Sequence, residues 1–307
     1  MRLVIAIGGN ALLERGQRAD AAVQRTNAMR AVAALAPLTE EHEVVITHGN
    51  GPQVGLLAVE SAADRDLGAP YPLDVLSAQT QGMIGYWLQQ ALQNALPHRQ
   101  IATVVNQTLV SAADPAFEHP TKFIGRVYDE DTARRIASQQ GWQIARDGDY
   151  WRRVVPSPMP QRILETPVVR ELLASGAVVV CAGGGGVPVI RDEAGRLAGV
   201  DAVVDKDLAT ALLAESLEAD ALLLLTDVPA VLRGFGTPDA APIARATPAM
   251  LRREKFPLGS MGPKVEAVCR FVEITGEMAA IGALRDAARI LRGEAGTVVT
   301  ARTTPAG

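Results

Sequence analysis

The sequence predicts an α/β fold in which helices cover both faces of a mostly parallel β-sheet. Short runs rich in Val, Ile and Leu alternate along the chain with runs of helical spacing, an order typical of parallel sheets. The predicted strands are almost uniformly apolar, as expected for strands that are covered on both sides. With 307 residues, of which 48% are hydrophobic, the chain can fill one large domain or two lobes.

The alternation continues along most of the chain. A run is interpreted as a strand where it is short and rich in β-branched or other aliphatic residues, and as a helix where apolar residues recur every three or four positions. In chain order the predicted elements are a strand at 3–7, a helix at 24–36, a strand at 44–47, a helix at 84–96, strands at 101–105 and 178–182, a helix at 208–217, a strand at 221–225 and a helix at 265–275.

Two stretches interrupt this rhythm. Residues 111–157 are polar and aromatic and contain several prolines, so they are predicted to be an insertion or lid rather than a unit of the sheet. Residues 234–262 form a second connection rich in Pro and Gly.

Composition excludes several classes of protein. A net charge of −4 with only 4% aromatic residues argues against a nucleic-acid surface, which needs positive charge and stacking rings. No apolar run reaches the roughly 18 residues of a membrane span, and residues 3–7 are too short a run for a signal peptide. Cys181 and Cys269 are isolated in apolar stretches, which indicates buried thiols in a reducing compartment. We therefore expect a soluble, cytoplasmic protein.

Four predicted strands end in glycine or small polar residues. In open parallel sheets, ligands bind at the carboxyl ends of the strands, and glycine lets backbone N–H groups approach a ligand closely. Clusters of such N–H groups in front of a helix favour phosphate. The four ends are residues 8–10 (GGN), 48–51 (HGNG), 183–186 (GGGG) and 226–227 (TD).

Neither common phosphate-binding loop is present. The dinucleotide fingerprint fails after the first strand because Asn10 and Leu13 occupy positions that require glycine, and the P-loop fails because no lysine precedes Ser or Thr. His42, His98 and His119 lack metal-binding spacing. His48 is a candidate base. A hydrogen-bonding or packing role fits better, because phosphoryl transfer to an acceptor that is already ionised needs no base.

Lysine is rare in this chain. All but four of the 30 basic residues are arginines, so each remaining lysine raises the question of whether its site needs a compact ammonium group. Lys206 lies at the start of a predicted helix that Asp205 or Asp207 can cap, and Lys264 follows Pro263, the predicted first residue of another helix. A cation at a helix N-terminus is unfavourable unless an anion lies beside it.

These two lysines therefore suggest clamps on a transferring phosphoryl group. The alternative is that first-turn lysines simply extend into water. That alternative suffices for either residue alone, but the occurrence of both in so lysine-poor a chain favours function. Lys255, in a charged segment, is interpreted as exposed.

Several motifs together resemble those of the carbamate kinases of the amino-acid-kinase superfamily, in order and over nearly the whole chain. The stretches at 48–55 and 259–264 are the most specific of them. The matching stretches are 7–11 (IGGNA), 47–55 (THGNGPQVG), 81–88 (QGMIGYWL), 120–122 (PTK), 153–158 (RVVPSP), 183–189 (GGGGVPV), 204–209 (VDKDLA), 259–267 (GSMGPKVEA) and 296–297 (GT).

The resemblance implies a three-layer αβα sandwich with a small protruding subdomain, usually as a homodimer. It also implies reversible phosphoryl transfer, with Mg²⁺ and ATP, between ADP and carbamoyl phosphate. It divides the chain into an acceptor lobe at 1–200, which includes a lid at about 111–157, and a nucleotide lobe at 201–307.

The resemblance also assigns roles to residues. Lys206 and Lys264 would neutralise the transferring group, Asp207 would orient both lysines, and Lys122 would close over the acceptor from the lid. The acceptor and the phosphate would be held by Gly8, Gly9, Asn10, Gly49, Asn50 and Gly51. The nucleotide would be bordered by Thr226, Asp227 and Met261.

Three stretches depart from the family pattern, namely 123–127 (FIGRV), 227–229 (DVP) and 254–258 (EKFPL). They affect the lid and the nucleotide contacts. They leave open a kinase of another small carboxylate or carbamate. A third possibility is a nucleotide-binding regulator without turnover, whose mark would be the loss of a clamp lysine or of Asn10; none of these is lost.

Overall fold

An eight-stranded sheet runs through the computed structural model, which describes residues 1–14, 16–64, 66–256 and 261–302. The strands of the described residues are β1 (Arg2–Ile7), β2 (Glu43–His48), β3 (Ile101–Thr103), β4 (Gln107–Leu109), β5 (Lys122–Tyr128), β6 (Gln143–Asp147), β7 (Tyr150–Val155), β8 (Arg162–Ile163), β9 (Val178–Val180), β10 (Val187–Arg191), β11 (Leu197–Gly199), β12 (Ala221–Thr226), β13 (Leu232–Arg233), β14 (Ala241–Pro242), β15 (Arg245–Ala246), β16 (Met278–Ala283) and β17 (Thr297–Val299).

The helices of the described residues are α1 (Ala21–Glu41), α2 (Gly51–Ala63), α3 (Leu73–Ala95), α4 (Glu130–Gln140), α5 (Thr166–Ala174), α6 (Lys206–Ser216), α7 (Pro248–Leu251), α8 (Met261–Thr275) and α9 (Ala287–Leu291). None of them combines the length and the apolar character needed to cross a bilayer.

The main sheet has the strand order β15-β17-β16-β12-β1-β2-β9-β3. Its pairs are parallel except for β16 with β17. The mostly parallel sheet predicted from the sequence is therefore confirmed. A smaller sheet has the strand order β11-β10-β4-β8. Its strands β4 and β10 follow β3 and β9 of the main sheet along the chain.

Alternate residues of the central strands face two separate apolar cores. In β1, Leu3 and Ile5 pack with α1, α3 and α9, whereas Val4 and Ala6 pack with α5, α6 and α8. These side chains are completely buried, and each large one contributes about 1.5–3 kcal/mol by leaving water. Helices thus cover both faces of the sheet, which accounts for the continuous apolar strands in the sequence.

Three predicted helices are longer than their patterns indicated. α1 continues past Pro37, which is usually a helix breaker, because Leu35 and Leu38 on either side of it are buried. α3 begins at Leu73 rather than at residue 84, since the early buried face is partly polar and hides the apolar repeat. α8 begins at Met261, two residues before Pro263, the predicted first residue.

The polar stretch after residue 111 contains a separate antiparallel sheet, β5-β7-β6, with α4 packed against it. We call residues 122–155 the small sheet module. It contacts α2 where Gly55 meets Gly125, a residue with φ +72° at an irregular point of β5. A Cβ atom added to Gly55 would lie 2.0 Å from the Cα of Gly125, so the two backbones touch without side chains between them.

Replacing Gly55 with Ala should displace the small sheet module. The added methyl group clashes with backbone, and overpacking of this kind costs about 1–3 kcal/mol, which exceeds the roughly 0.5–1 kcal/mol that Ala gains over Gly within a helix. Chemical denaturation should show a lower free energy of unfolding, and limited proteolysis should show faster cleavage within residues 122–155.

Gly82→Ala is the matched control, because Gly82 is exposed in α3 and a Cβ atom there meets nothing within 4 Å. It should be neutral or stabilising. If Gly55→Ala were as stable and as protease-resistant as Gly82→Ala, the contact would not matter.

Candidate functional site

The four strand ends selected from the sequence lie side by side in the structure. The strands that carry them, β12, β1, β2 and β9, are consecutive in the main sheet and parallel to one another. Their carboxyl ends therefore open onto one edge, where the sequence places Thr226-Asp227, Gly8–Asn10, Gly49–Gly51 and Gly183–Gly186. Ligand sites in open parallel sheets form at such an edge.

Glycines allow the turns at this edge to pack closely together. A Cβ atom on Gly49 would lie 2.6 Å from the backbone nitrogen of Gly9, so the turns after β1 and β2 touch through their backbones. The N–H of Gly8 donates to the carbonyl of Leu225 (3.0 Å) and thereby ties the first turn to β12. Gly51 begins α2, whose N-terminus has no capping bond from the side chain of Asn50.

Polar side chains connect the turn after β1 to the end of β12. The Asn10 amide donates to Asp227 Oδ2 (3.0 Å), and the Thr226 hydroxyl donates to Asp227 Oδ1 (3.0 Å). The structure thus brings together Asn10, Thr226 and Asp227, which the resemblance assigned to the phosphate and the nucleotide. Met261 lies at the first position of α8, where it packs partly against the apolar core of that face.

Asp205 caps the helix that carries the first clamp lysine. Its Oδ1 accepts hydrogen bonds from the backbone N–H groups of Asp207 (2.9 Å) and Leu208 (3.2 Å), the arrangement expected of an aspartate N-cap. Of the two caps that the sequence allowed, Asp205 is therefore the one used. Lys206 follows as the first residue of α6, which places its ammonium group at the positive end of the helix.

Asp207 is shared by two lysines. Lys206 Nζ donates to Asp207 Oδ1 (2.6 Å), and Lys264 Nζ, from α8, donates to Asp207 Oδ2 (2.9 Å). The three side chains are only 12%, 6% and 15% exposed for Lys206, Asp207 and Lys264. The anion that a first-turn lysine requires is thus the same carboxylate for both lysines.

Burial and charge act in opposite directions on the pKa values of this cluster. Burial lowers the pKa of Lys206 below its usual range, although the Asp207 carboxylate opposes the shift. Burial also acts to lower the pKa of Lys264, but Asp207 outweighs it and the pKa is raised. For Asp207, burial would raise the pKa, yet the two lysines hold it well below its usual range.

Lys122 reaches the same cluster from the small sheet module. Its ammonium group forms an ion pair with Asp205 Oδ2, while the other oxygen of that carboxylate caps α6. Lys122 lies at the start of β5, so one aspartate connects the module to the helix that holds the clamp. Among these five side chains, three ammonium groups face two carboxylates, and the surplus positive charge suits an anionic phosphoryl group.

Two hydrogen bonds that connect the elements of the candidate site were not predicted from the sequence. The hydroxyl groups of Thr47 and Thr210 lie 2.7 Å apart and connect β2 to α6. The amide of Asn50 donates to the hydroxyl of Thr80 in α3 (2.8 Å). A buried threonine within a helical or strand pattern carries no distinguishing signal. Residues 257–260, which include the first two residues of the specific stretch at 259–264, lie outside the described residues.

His48 is a packed, neutral side chain. It is 1% exposed, its Nδ1 lies 3.1 Å from the carbonyl oxygen of Gly49, and its ring fills the space where a side chain on Gly183 would be. Burial, followed by the nearby charge of Lys206, lowers the pKa of His48 to about 4, although the contact with Gly49 opposes the shift. This arrangement favours the packing role over that of a base.

Comparison with known proteins agrees with this fold and identifies the family. Residues 1–281 match the model of the amino acid kinase family. The chain belongs to the amino acid kinase family.

Relatives of this chain within the amino acid kinase family include carbamate kinases. The carbamate kinase of Rhizobium meliloti is 52% identical over 303 residues, which cover 98% of this chain and 93% of the relative. The solved structure of carbamate kinase from Giardia lamblia bound to citric acid has a TM-score of 0.92 and 38% identity, covering 97% of this chain and 98% of that one. The structure from Giardia lamblia bound to AMP-PNP has a TM-score of 0.88 with the same identity and coverage. The predicted resemblance to the carbamate kinases is therefore confirmed.

Replacing His48 with Gln should remove a pH-dependent part of the stability. His48 has a pKa of about 4 when folded and an ordinary value of 6.5. Its contribution is therefore complete above pH 6.5 and is lost as the pH falls towards 4. The difference in the free energy of unfolding between wild type and His48→Gln should shrink below pH 6.5, by at most about 1.4 kcal/mol per pH unit.

Chemical denaturation at a series of pH values between 5 and 8 measures this difference. A difference that stayed constant over the series would mean that His48 is not held neutral by burial.

Proposed function

We infer that this chain is a carbamate kinase that transfers a phosphoryl group reversibly between ATP and carbamate. The observation that carries the inference is the pair of buried lysines on one carboxylate, Asp207, at the edge where four parallel strands end. Relatives about half identical over almost the entire chain carry the name carbamate kinase, which supports this acceptor over other small acids.

The proposed mechanism relies on position and charge. Carbamate is already ionised, so its oxygen attacks the γ-phosphoryl group in line without a base, and ADP leaves. Lys206 and Lys264 stabilise the negative charge on the group in flight, as expected where catalysis is mainly positioning and electrostatic stabilisation. Asp207 keeps both ammonium groups in place, and Lys122 closes over the acceptor.

We propose that the turns after β1 and β2 hold the acceptor and the transferring phosphate. The phosphoryl group would lie against the backbone N–H groups of Gly9 and Gly51. Gly8, Asn10, Gly49 and Asn50 would surround it, while the N–H groups of Gly8 and Gly49 stay bonded to the carbonyls of Leu225 and Ile7. The close backbone contact of Gly9 with Gly49 supports this assignment, because only glycine leaves such N–H groups uncovered.

We propose that the nucleotide lies along Thr226, Asp227 and the start of α8 at Met261. In this arrangement residues 1–200 form the acceptor lobe, with a lid at 111–157, and residues 201–307 form the nucleotide lobe. The AMP-PNP complex of the enzyme from Giardia lamblia supports the use of an adenine nucleotide.

We propose Mg²⁺ as the ion that accompanies the nucleotide. No group of three or more His, Cys, Asp or Glu among the described residues is arranged to hold a metal. Mg²⁺ usually keeps several waters and binds one or two carboxylates together with substrate phosphates, so the residues present fit an ion carried by the nucleotide. Asp227, oriented by Asn10 and Thr226, is the carboxylate proposed to contact that ion, which would neutralise phosphate charge.

A cytoplasmic homodimer is the proposed form of the protein. Cys181 and Cys269 are both buried free thiols, which fits a reducing compartment. Met29 of α1 and Tyr86 of α3 are large apolar side chains that are 63% and 48% exposed, and they support a subunit contact on these neighbouring helices.

The purified protein should form ATP from ADP and carbamoyl phosphate when Mg²⁺ is supplied. A coupled assay that follows ATP measures this, and ATP with a panel of small carboxylates and amino acids tests the alternative acceptors raised by the altered stretch at 123–127. Nucleotide binding in calorimetry without any phosphoryl transfer would contradict the proposal and favour a regulatory protein.

Replacing Lys206 should abolish most turnover. We expect Lys206→Ala to lose on the order of 10²–10³-fold in kcat, as when one preorganised donor is removed. Lys206→Arg should also be poor, because a planar guanidinium cannot replace a compact ammonium beside Asp207 and the phosphoryl group. Lys255→Arg, at an exposed lysine, is the matched control and should keep full activity; near-normal turnover by Lys206→Arg would contradict the clamp.

A further inference from the structure

The side-chain amide of Asn50 is held in one orientation by a threonine from another element. Asn50 follows β2 at the proposed acceptor edge and is 7% exposed, and its Nδ2 donates to Thr80 Oγ1 (2.8 Å). Thr80 is completely buried in α3, and its own hydroxyl donates to the backbone carbonyl of Ser77 (2.8 Å). These two bonds form a short chain from Asn50 through Thr80 to Ser77.

The single hydroxyl hydrogen of Thr80 determines which edge of the Asn50 amide faces it. A hydroxyl group has one hydrogen, and Thr80 uses it on a carbonyl oxygen, which can only accept. Thr80 must therefore accept from Asn50, and only the NH₂ edge of the amide can donate. The orientation of an Asn amide is assigned from its hydrogen-bond partners. Here they place Nδ2 of Asn50 towards Thr80 and Oδ1 away from it.

That oxygen is left without a donor in the protein. Asn50 Oδ1 accepts no hydrogen bond from the part of the chain that the structure describes. It is not among the fully buried polar atoms without a partner, so part of its surface is exposed. Gly184 lies against the amide: a Cβ atom there would be 2.5 Å from Oδ1, and φ of Gly184 is +62°. The absence of a side chain at Gly184 keeps room beside the amide.

An amide oxygen can only accept, so it discriminates among ligands by their donors. Carbamate and carbamoyl phosphate carry an NH₂ group that can donate, whereas the carboxylate oxygens of carbamate and the carbonyl and phosphate oxygens of carbamoyl phosphate are acceptors. Acetate and acetyl phosphate have the same shape with a methyl group in place of NH₂. A site that presents an unpaired acceptor therefore favours the carbamoyl compound and leaves the acceptor unsatisfied with the acetyl compound.

We propose that Asn50 Oδ1 accepts an N–H of carbamate and that Thr80 is the positioning residue that makes this contact possible. The pair thereby separates carbamate from carboxylates of the same size. This inference rests on the proposed function, since it concerns the acceptor of that reaction. It adds to that function the group that recognises the amino end of the substrate.

Thr80→Val tests the proposal, because valine has the shape of threonine without its hydroxyl. The Asn50 amide then loses its fixed partner and can present either its oxygen or its NH₂ group to the bound carbamoyl compound. With ADP and Mg²⁺, the ratio of kcat/KM for carbamoyl phosphate to that for acetyl phosphate should fall about tenfold, mainly through a higher KM for carbamoyl phosphate. Thr80→Ser, which retains the hydroxyl, should keep the wild-type ratio.

Three other outcomes are distinguishable. A Thr80→Val enzyme in which both substrates lose the same factor, or neither changes, would overturn the proposal and leave Thr80 a structural role. If Thr80→Val does not fold, Asn50→Leu removes the acceptor from the other side, and an unchanged ratio there would overturn the proposal equally. Wild-type protein that forms no ATP from carbamoyl phosphate would instead refute the proposed function itself.

Discussion

One buried carboxylate between two ammonium groups is the constraint on which the rest of the site depends. Asp207 needs α6 to begin beside the sheet edge, and it needs α8 to lie alongside α6 so that Lys264 reaches its second oxygen. Breaking a buried ion pair by removing one partner typically costs about 3–5 kcal/mol. The cap by Asp205 and the bond between Thr47 and Thr210 keep α6 at the required position.

The division of labour between lysine and arginine follows from the same constraint. On the surface, Arg252 uses its planar group to bind Glu266 and Glu273 together, a geometry that suits a fork of donors. In the candidate site, Lys206 and Lys264 share a single carboxylate, and in the proposed mechanism they also face the phosphoryl group. Compact ammonium groups allow this because each of them offers several donors from one point.

The sequence predicted the sheet, the glycine-rich or polar ends of four of its strands and the two lysines at helix starts, because each depends on local composition. The end of α1 was missed because burial of Leu35 and Leu38 outweighs the cost of Pro37. Neither the ion pair of Lys122 with Asp205 nor the bond of Asn50 to Thr80 could be predicted, since both join segments that only the folded chain brings together.

The gathering of lysines also has a consequence for covalent chemistry. The chain has four lysine side chains, three of them at the site and one, Lys255, exposed on the surface. An acylating reagent that reacts with neutral amines therefore finds few competing side chains. Because burial keeps the pKa of Lys206 below its usual value, its amine is neutral more often than that of an ordinary lysine. Protection of Lys206 by a substrate against acylation would therefore report on binding at the proposed acceptor edge.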